Sequence, residues 1–403
     1  MAKKNKKQKE RIKQRQKERL FEEKPEKKVI RHNTAANQAK HRVDWQPLEP
    51  DEEGVISDRR IMPKDELDRR EGLLLTPRLE FQTDFADAMW QTLADRSEFG
   101  LGVVVEVGRG LCRAAVNGEV VVCDIRGTLI AEETGFTNVV AVGDRVLVRP
   151  HYEGRGLVEE VLPRRSGLAR ADVHQTHLRQ MIAANVDQLL IVAAWLEPQI
   201  WFQMIDEYLI GAARNDLEAV IVINKVDLAD SLSEVMAAVQ PYRQLGHQVI
   251  LTSTVTGESV NEVAHVLRGQ TTVLAGLSGV GKSSLLNVIQ PGLQLRTGEV
   301  SQLKSREGRH TTTKVNMLPL AMGGYVIDTP GIKDMGLMGL HPDDLILYYP
   351  DIEAVFGRCR FNDCTHEHEP GCAVRGAVEN GRIAEWRYIN YTNLYTRLVE
   401  EEA

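Results

Sequence analysis

The sequence predicts a multidomain protein: a small β-barrel of the oligonucleotide-binding (OB) type, an α/β domain with a mostly parallel sheet, and a C-terminal α-rich metal-binding domain, all behind a disordered basic extension. Three observations predict it: residues 100–163 alternate in hydrophobicity with a period of two, buried-type strands alternate with helical stretches over 188–339, and three cysteines fall within 14 residues near the C-terminus. A chain of 403 residues is also long for one core. The expected domains are 1–96, 97–165, 166–340 and 341–403.

The charge distribution separates the N-terminal extension from the rest of the chain. Residues 1–42 hold 16 Lys and Arg against five Glu, a net charge of +11, whereas the remainder carries −18. Such a run is typical either of a solvated, disordered segment or of an arm that binds RNA or DNA, because basic side chains on phosphates release counterions. The hydrophobic content of 42% excludes disorder of the whole chain.

No segment predicts insertion into a membrane. The longest clean apolar run, 189–196, is far shorter than the roughly 20 residues that span a bilayer. No apolar segment follows the N-terminal lysines, as it would in a secretory signal. Five cysteines form no even disulfide framework, which favours a reducing compartment. We therefore expect a cytoplasmic monomer with no membrane partner.

The barrel region follows a short amphipathic helix, which apolar residues at every fourth position predict over 81–96. Alternating hydrophobicity and turn residues such as Asn117-Gly118 then predict five strands. These are 101–107, 111–116, 120–125, 145–149 and 156–162. Five strands of this length fit an OB-like barrel, and an SH3-like barrel fits the same pattern. Cys112 and Cys123 are expected in the barrel core.

The α/β region contains short, continuously apolar runs separated by helical stretches. The predicted strands are 189–194, 219–223, 248–251, 272–275 and 324–327. This alternation is typical of a parallel sheet that helices cover on both faces. After Pro342 the sequence becomes rich in Cys, His, Arg and aromatic residues, and it predicts a terminal helix over 383–401.

A phosphate-binding loop follows the fourth of these strands. Residues 276–283, GLSGVGKS, match its pattern at every fixed position, between a strand and a helix expected near Ser283. The glycines let backbone amides wrap phosphates, Lys282 reaches the terminal phosphates as a catalytic charge, and Ser283 is an expected Mg²⁺ ligand. The expected nucleotide contacts are Gly276, Leu277, Ser278, Gly279, Val280, Gly281, Lys282, Ser283 and Ser284.

A guanine-reading motif, Asn224-Lys225-Val226-Asp227, directly follows the second strand. The Asp227 carboxylate can accept hydrogen bonds from the ring N–H and the exocyclic amine of guanine, whereas adenine would leave its charge unpaired. Lys225 can lay its stem along the base. Residues 252–254, Thr-Ser-Thr after the third strand, are expected to add backbone contacts. The motif predicts GTP and GDP as the nucleotides.

Two further segments are expected around a magnesium ion. Asp328, after the last strand, would hold Mg²⁺ through water, and the Gly331 amide would meet the γ-phosphate. The stretch 308–313, GRHTTT, supplies hydroxyl groups. Thr312 is the expected Mg²⁺ ligand among them, with its two neighbouring threonines as alternatives.

The order of these motifs is permuted. An ordinary GTPase carries its phosphate loop first and its base reader later, whereas here the base reader at 224 precedes the loop at 276. Parallel α/β domains tolerate such permutation because their chain termini lie at the surface and often close together.

A metal-binding pattern lies near the C-terminus: Cys359, Cys364, His366 and Cys372. Three thiolates and one imidazole on short loops suit one closed, tetrahedral, structural Zn²⁺ per chain. His368 is an alternative to His366 as a ligand. A reduced thiol cluster beside an incidental histidine is the other interpretation.

Together these motifs resemble the circularly permuted, ribosome small-subunit-dependent GTPase family of bacteria. The similarity covers about residues 97–402 and includes Cys372-Ala373-Val374, Gly-Arg-Ile at 381–383 and Arg-Tyr at 387–388. The resemblance implies a barrel domain, a permuted GTPase domain and a zinc-containing domain. It implies that these bind the small ribosomal subunit and its rRNA during late maturation, and that the subunit stimulates hydrolysis.

The chain departs from the expected pattern at two places. Its first 95 residues are a longer extension than the family usually has, so the resemblance implies nothing about them. Ile332 stands where Ras-type GTPases place the glutamine that orients water; the family also has an apolar residue there. His310 is the expected catalytic replacement, and contact with RNA or phosphate is the alternative role for that histidine.

Two other functions fit parts of the sequence. A GTP-binding, RNA-binding scaffold without significant hydrolysis would use the nucleotide only as a structural switch. An ATP-driven P-loop enzyme would share the phosphate loop, but the guanine-reading motif at 224–227 disfavours it.

Overall fold

The computed structural model describes residues 86–90, 99–108, 110–126, 129, 136–151, 154–171, 179–293, 315–328, 337–361 and 364–402. Residues 86–90 are helical and lie inside the helix predicted over 81–96. The remainder of the predicted basic extension lies outside the described residues.

Five strands form a closed barrel. They are β1 (Gly100–Val107), β2 (Leu111–Val116), β3 (Glu119–Ile125), β4 (Arg145–Pro150) and β5 (Gly156–Val161). Strand β1 pairs antiparallel with both β2 and β4, β2 pairs with β3, and β4 with β5, while β3 and β5 run parallel. The pairings run in a ring, β1-β2-β3-β5-β4 and back to β1, so the sheet closes. The predicted OB-like barrel is confirmed, and each predicted strand ends within one residue of the observed bounds.

Alternating side chains build the barrel core. In β2 the exposed Leu111 and Arg113 alternate with the buried Cys112 and Ala114, as a strand with one solvated face requires. The β2–β3 turn uses Asn117 and Gly118 with φ of 53° and 87°, the left-handed pair that matches the twist of a hairpin. Cys112 and Cys123 face each other across this hairpin and are almost fully buried, as predicted.

A two-stranded antiparallel sheet, β6 (Gly167–Ala171) with β7 (Arg179–Ala184), follows the barrel in the chain. The sequence did not predict it. Bridges from Phe136 and Val142 to β7 tie this small sheet to the connection between β3 and β4. The sequence of β6, GLARA, consists largely of small residues, so its alternation of polar and apolar side chains is weak.

The α/β region is a six-stranded sheet. Its strands are β8 (Gln188–Ala194), β9 (Glu218–Asn224), β10 (Gln248–Leu251), β11 (Thr271–Ala275), β12 (Asn316–Pro319) and β13 (Tyr325–Asp328). The strand order is β10-β9-β8-β11-β13-β12, and all neighbours run parallel except β12 and β13. The mostly parallel sheet is thus confirmed. The last predicted strand begins one residue later than expected, and β12 was not predicted.

Helices cover both faces of this sheet. They are α1 (Phe202–Arg214), α2 (Leu232–Gln244), α3 (Val260–Leu267) and α4 (Lys282–Ile289). Successive residues of β8 alternate between two buried clusters: Leu189 and Ile191 pack with α1 and α2, whereas Leu190 and Val192 pack with α3 and α4. Because both faces of β8 are buried, its sequence is a continuous apolar run rather than an alternating one.

The C-terminal region is helical. A 3₁₀ helix, Pro342–Tyr348, precedes α5 (Pro350–Glu353), α6 (Ala373–Glu379) and α7 (Glu385–Glu402). Helix α7 starts two residues after the predicted position and packs against α1, where the Trp386 and Phe202 rings stack with centroids 4.3 Å apart. Among the described helices, none has the length and apolar character to cross a membrane.

A buried polar network fixes α7 to α1. Asp206 on α1 accepts hydrogen bonds from Arg387 Nη1 (2.8 Å), Asn390 Nδ2 (2.7 Å) and the hydroxyl groups of Tyr242 and Tyr349 (2.9 and 3.1 Å). Arg387 also forms a two-bond ion pair with Asp351, at 2.8 and 2.9 Å. Every partner of the buried carboxylate therefore comes from an element other than α1.

Candidate nucleotide and metal sites

The predicted nucleotide motifs converge at the carboxyl ends of neighbouring parallel strands. The phosphate loop follows β11, the base reader follows β9, and Asp328 ends β13. Asp328 pairs in register with Leu274 on β11, next to the start of the loop. Ligands of open α/β sheets bind at this edge, so the topology collects motifs that lie far apart in the chain.

The backbone of the phosphate loop requires glycine at its two ends. Gly276 has φ +141°, and a Cβ there would lie 2.1 Å from the carbonyl oxygen of Val192 on β8. Gly281 has φ +94°, and a Cβ there would lie 2.3 Å from Asn224 Nδ2. A side chain at Gly276 would therefore collide with backbone, and one at Gly281 would be strained by the positive φ and would displace the Asn224 amide. The predicted loop and the helix α4 that follows it are therefore built as phosphate binding requires.

Lys282 and Asp328 are electrostatically coupled. Lys282 Nζ donates hydrogen bonds to the carbonyl oxygens of Gly276 and Leu277, at 2.9 and 2.7 Å. Burial lowers the pKa of Lys282, whereas the Asp328 charge raises it. Burial likewise raises the pKa of Asp328, against the effect of Lys282. A half-buried cation beside a carboxylate, with the Ser283 hydroxyl one residue on, offers the charge and the hard oxygen donors that a phosphate and Mg²⁺ need.

The base reader contacts the phosphate loop directly. Asn224 is fully buried, and its Nδ2 donates to the carbonyl oxygen of Val280 at 2.9 Å. Its Oδ1 is also buried and has no hydrogen-bond partner among the described residues. Buried amide oxygens are rarely left unpaired, so this atom indicates a place for a ligand donor.

Asp227 lies beside the loop that follows β10. The Ser253 hydroxyl donates to Asp227 Oδ1 at 2.5 Å, and Val226 N donates to the Thr252 carbonyl oxygen at 3.3 Å. The Asp227 side chain is exposed and thus accessible to a base. The predicted loop 252–254 therefore adjoins the base-reading motif through one side-chain and one backbone hydrogen bond. Its expected backbone contacts to the base stay a prediction.

The loop 195–201 between β8 and α1 forms one wall of this site and was not predicted from the sequence. Lys225 Nζ donates a hydrogen bond to the carbonyl oxygen of Glu197, and a Cβ at Gly279 would lie 3.9 Å from Pro198 Cδ. The loop contains no recognisable motif. The only available signal was topological, because β8 lies between β9 and β11, whose ends carry the two nucleotide motifs.

Three predicted site residues lie outside the described residues: His310, Thr312 and Gly331. The same holds for Ile332 and for the whole stretch 308–313. Their roles stay predictions.

The four predicted metal ligands form one cluster. Cys359, Cys364, His366 and Cys372 bring ligand atoms within 4.8 Å of one another. His366 Nδ1 lies 3.5 Å from Cys359 Sγ and 3.4 Å from Cys372 Sγ. The fit of three soft thiolates and one imidazole to a single Zn²⁺ is good. His368, the alternative ligand, is exposed and does not belong to the cluster.

Backbone amides hydrogen-bond two of the cysteine sulfur atoms of this cluster. The Arg375 amide donates to Cys372 Sγ at 3.4 Å, and the Ala373 amide donates to Cys359 Sγ at 3.3 Å. The two sulfur atoms therefore each accept a backbone hydrogen bond, and deprotonated sulfur is the form of cysteine that binds metal. Burial lowers the pKa of His366, which keeps its imidazole neutral and able to donate a lone pair.

Comparison with known proteins gives one consistent result. The family model described as "RsgA GTPase" matches residues 161–338. A protein of Moorella thermoacetica named "Small ribosomal subunit biogenesis GTPase RsgA" is 41% identical over 285 residues, 71% of this chain and 92% of the relative. A protein of the same name from Thermotoga petrophila is 41% identical over 286 residues, 70% of this chain and 90% of its own.

Two solved structures are also similar. The crystal structure of YjeQ from Thermotoga maritima has a TM-score of 0.57 and 36% identity, covering 75% of this chain and 99% of its own. The structure described as "YloQ, a circularly permuted GTPase" has a TM-score of 0.55 and 28% identity, covering 76% and 98%.

Proposed function

The chain belongs to the RsgA GTPase family, and on that basis we propose that it hydrolyses GTP to GDP and phosphate when bound to the maturing small ribosomal subunit. The observation that carries this proposal is the hydrogen bond from Asn224 to the Val280 carbonyl, because it puts the base reader against the phosphate loop despite their permuted order. The names of curated relatives support the partner. We further propose that a monomer acts late in maturation, in the cytoplasm, through contact with rRNA.

Each described residue of the site has a role in this reaction. Amides of the loop 276–281 and the N-terminus of α4 bind the phosphates, and Lys282 neutralises the charge that develops on them. Ser283, Asp328 through water, and Thr312 would hold Mg²⁺, which when bound neutralises the β- and γ-phosphate oxygens. Asn224 and Asp227 select guanine. Of these residues, Thr312 lies outside the described part of the chain.

The orientation of the attacking water is assigned to His310. Ile332 has no polar atom with which to orient water, so intrinsic hydrolysis should be slow, about 10⁻⁴–10⁻³ s⁻¹ as in Ras-type enzymes without an activator. His310 lies among Arg306 and Arg309 in a basic stretch. Contact between this stretch and rRNA would place the imidazole beside the water and Thr312 on the metal.

The experiment that tests this function is GTP turnover titrated with purified small subunits. We expect at least a ~10-fold increase, because the positioning of one catalytic group is worth about 10²–10⁴-fold. His310→Ala should lose most of the stimulation and still bind GTP. Added salt should weaken the stimulation, because docking of basic segments on RNA releases counterions.

The controls of this titration separate the competing functions. Purified large subunits should stimulate much less than small subunits. If the wild type binds GTP and small subunits without stimulated phosphate release, the chain is a scaffold. Equal stimulated rates for wild type and His310→Ala would exclude a catalytic role for that histidine. Competition between GTP and ATP for the site tests the ATP-driven alternative.

Guanine selectivity should depend on Asp227. In Asp227→Asn the side chain presents an amide where guanine offers two donors, so GTP binding should weaken on the order of 30-fold, about 2 kcal/mol. Xanthosine triphosphate, which has a carbonyl at that position, should bind better than it does to the wild type. Asp230→Asn, an exposed carboxylate three residues further on, is the matched control. Unchanged GTP affinity in Asp227→Asn would refute the assignment.

We propose that the Cys359–Cys372 cluster holds one structural Zn²⁺. The group is closed: four protein ligands leave no coordination position for a substrate. The metal would join the segment after α5 to the start of α6, because Cys372 directly precedes that helix. Metal binding free energy in such a small segment is folding free energy.

Freshly purified protein should therefore contain one zinc per chain by elemental analysis. Cys364→Ser and His366→Ala should lose the metal and unfold the segment from about residue 342 onward, which limited proteolysis would detect. His368→Ala tests the alternative ligand and should keep the full zinc content. Zinc retained in His366→Ala but lost in His368→Ala would reverse the assignment.

A further inference from the structure

An exposed cationic and aromatic surface adjoins the zinc cluster. In the segment Arg358-Cys359-Arg360-Phe361, the two arginine side chains are exposed, while the thiol between them faces the other metal ligands. Phe361 is 41% exposed. Another phenylalanine of the same region, Phe356, is half-buried and lies 4.6 Å from the His366 ring. Phe356 thus supports the cluster, whereas Phe361 presents its ring to solvent.

The backbone around Arg360 orients its side chain. Arg360 N donates to the Gly371 carbonyl oxygen at 3.2 Å, which joins the two ends of the cluster. A Cβ on Gly371 would lie 3.2 Å from Arg360 Cβ and 3.5 Å from its Cδ, so the arginine stem lies across a position that only glycine leaves open. The guanidinium carbon lies 5.6 Å from the centre of the Phe361 ring. The backbone at Gly371 therefore orients Arg360, and the Arg360 guanidinium lies beside the Phe361 ring.

This arrangement matches the chemistry of an unpaired nucleotide. Exposed aromatic rings and guanidinium planes are the surfaces on which proteins stack splayed-out bases of RNA, and arginines bind the adjoining phosphates. A base inside a duplex has no free face, so paired RNA cannot use the ring. An apolar protein partner would not require two exposed cations beside the ring.

We propose that Arg358, Arg360 and Phe361 form a binding site for a single-stranded RNA nucleotide, with the base stacked on Phe361 and the phosphates on the two arginines. This inference rests on the proposed function, since it names a contact through which the chain would bind rRNA. Phe361 is a binding residue here and takes no part in GTP chemistry.

The test uses the full-length protein, a fluorescent single-stranded 12-mer RNA of mixed sequence as the probe, and a series of salt concentrations. High salt weakens binding by the basic N-terminal residues more than it weakens stacking. At about 0.3 M salt, Phe361→Ala and Phe361→Leu should bind the probe at least ~5-fold more weakly than wild type, and Phe361→Trp should bind as well as wild type. Leucine keeps apolar bulk without a ring.

Substitution of the two arginines should change the salt dependence of RNA binding, unlike substitution of Phe361. Arg358→Gln and Arg360→Gln should each reduce the slope of log affinity against log salt by about one, whereas the Phe361 variants leave that slope unchanged. Ile389→Ala, an exposed apolar residue on α7, is the matched control and should leave RNA binding unchanged. Zinc content, the melting curve and basal GTP turnover should equal those of wild type in every variant.

Three results would contradict a stacking site, a nucleotide partner or the proposed function. Equal RNA affinity of wild type and Phe361→Leu would overturn the stacking site. So would an equal loss of affinity in Phe361→Leu for the single-stranded probe and for a duplex RNA of the same sequence. Loss of small-subunit binding in Phe361→Leu with unchanged RNA binding would also overturn it, by indicating a protein partner. Failure of small subunits to stimulate the wild type would count against the proposed function instead, because the oligonucleotide result does not depend on it.

Discussion

Lys282→Ala is expected to abolish measurable GTP turnover and to leave the free energy of unfolding nearly unchanged. The Lys282 ammonium is half-buried at the start of α4 and hydrogen-bonds only carbonyl oxygens of the loop in the described structure. Its energetic role is therefore directed at the phosphates and not at packing. Loss of one positioned electrostatic group costs on the order of 10²–10³-fold in kcat, and more is expected where the group carries a full charge.

Single-turnover phosphate release with saturating small subunits measures this effect, and urea unfolding with GTP absent measures stability. Asn287→Ala, an exposed residue in the same helix, is the matched control and should keep wild-type turnover. Ser283→Ala should resemble Lys282→Ala, but excess Mg²⁺ should partly restore its turnover, since it lacks only a metal ligand. Retained turnover in Lys282→Ala, with an unchanged unfolding curve, would place the active site elsewhere.

The barrel and the parallel sheet were predictable because their signals are local. A strand buried on one face alternates, as in β2, and a strand buried on both faces is a continuous apolar run, as in β8. The phosphate loop is equally local: its pattern is fixed by the backbone conformations that Gly276 and Gly281 must adopt. Such features depend on a few neighbouring residues and can be recognised without knowledge of the rest of the chain.

The features that the sequence did not predict depend on partners far along the chain. The strand β12 has only four residues and ends in Pro319, and it forms because β13 pairs with it. A bridge between its residue Asn316 and Glu106 of β1 also connects it to the barrel. The loop 195–201 joins the nucleotide site through three contacts: the Trp195 amide donates to the Asn224 carbonyl oxygen at 2.9 Å, Lys225 donates to the Glu197 carbonyl oxygen, and Pro198 adjoins the phosphate loop. No periodicity or motif in the loop or in β12 itself reports these contacts.

The Asp206–Arg387 pair is a further case, since 181 residues separate its members. A lone aspartate in an apolar helix and an arginine in a terminal helix are ordinary in sequence. Only the fold shows that Asp206 is almost fully buried, that four groups donate to it, and that Arg387 also pairs with Asp351. The attachment of α7 to the α/β sheet therefore involves residues that no motif identifies.

Arg387→Met is expected to lower the free energy of unfolding by about 3–5 kcal/mol, because it leaves the buried Asp206 carboxylate without its counter-charge. Methionine keeps most of the volume of the arginine stem, so the effect measures charge rather than a cavity. Burial raises the pKa of Asp206, and Arg387 opposes that shift. Without the guanidinium the pKa should rise further. The penalty should then be largest at neutral pH and shrink as the pH is lowered and Asp206 takes up a proton.

Urea unfolding at several pH values, followed by tryptophan fluorescence because Trp386 adjoins the network, measures both effects. Arg397→Met is the matched control: Arg397 joins the same two helices through Glu207 at 3.2 Å but is 38% exposed, so its loss should cost less than about 1 kcal/mol. Adding Asp206→Asn to Arg387→Met removes the orphaned charge and should restore part of the stability. If Arg387→Met and Arg397→Met cost equally little at neutral pH, the network is not what holds α7 to α1.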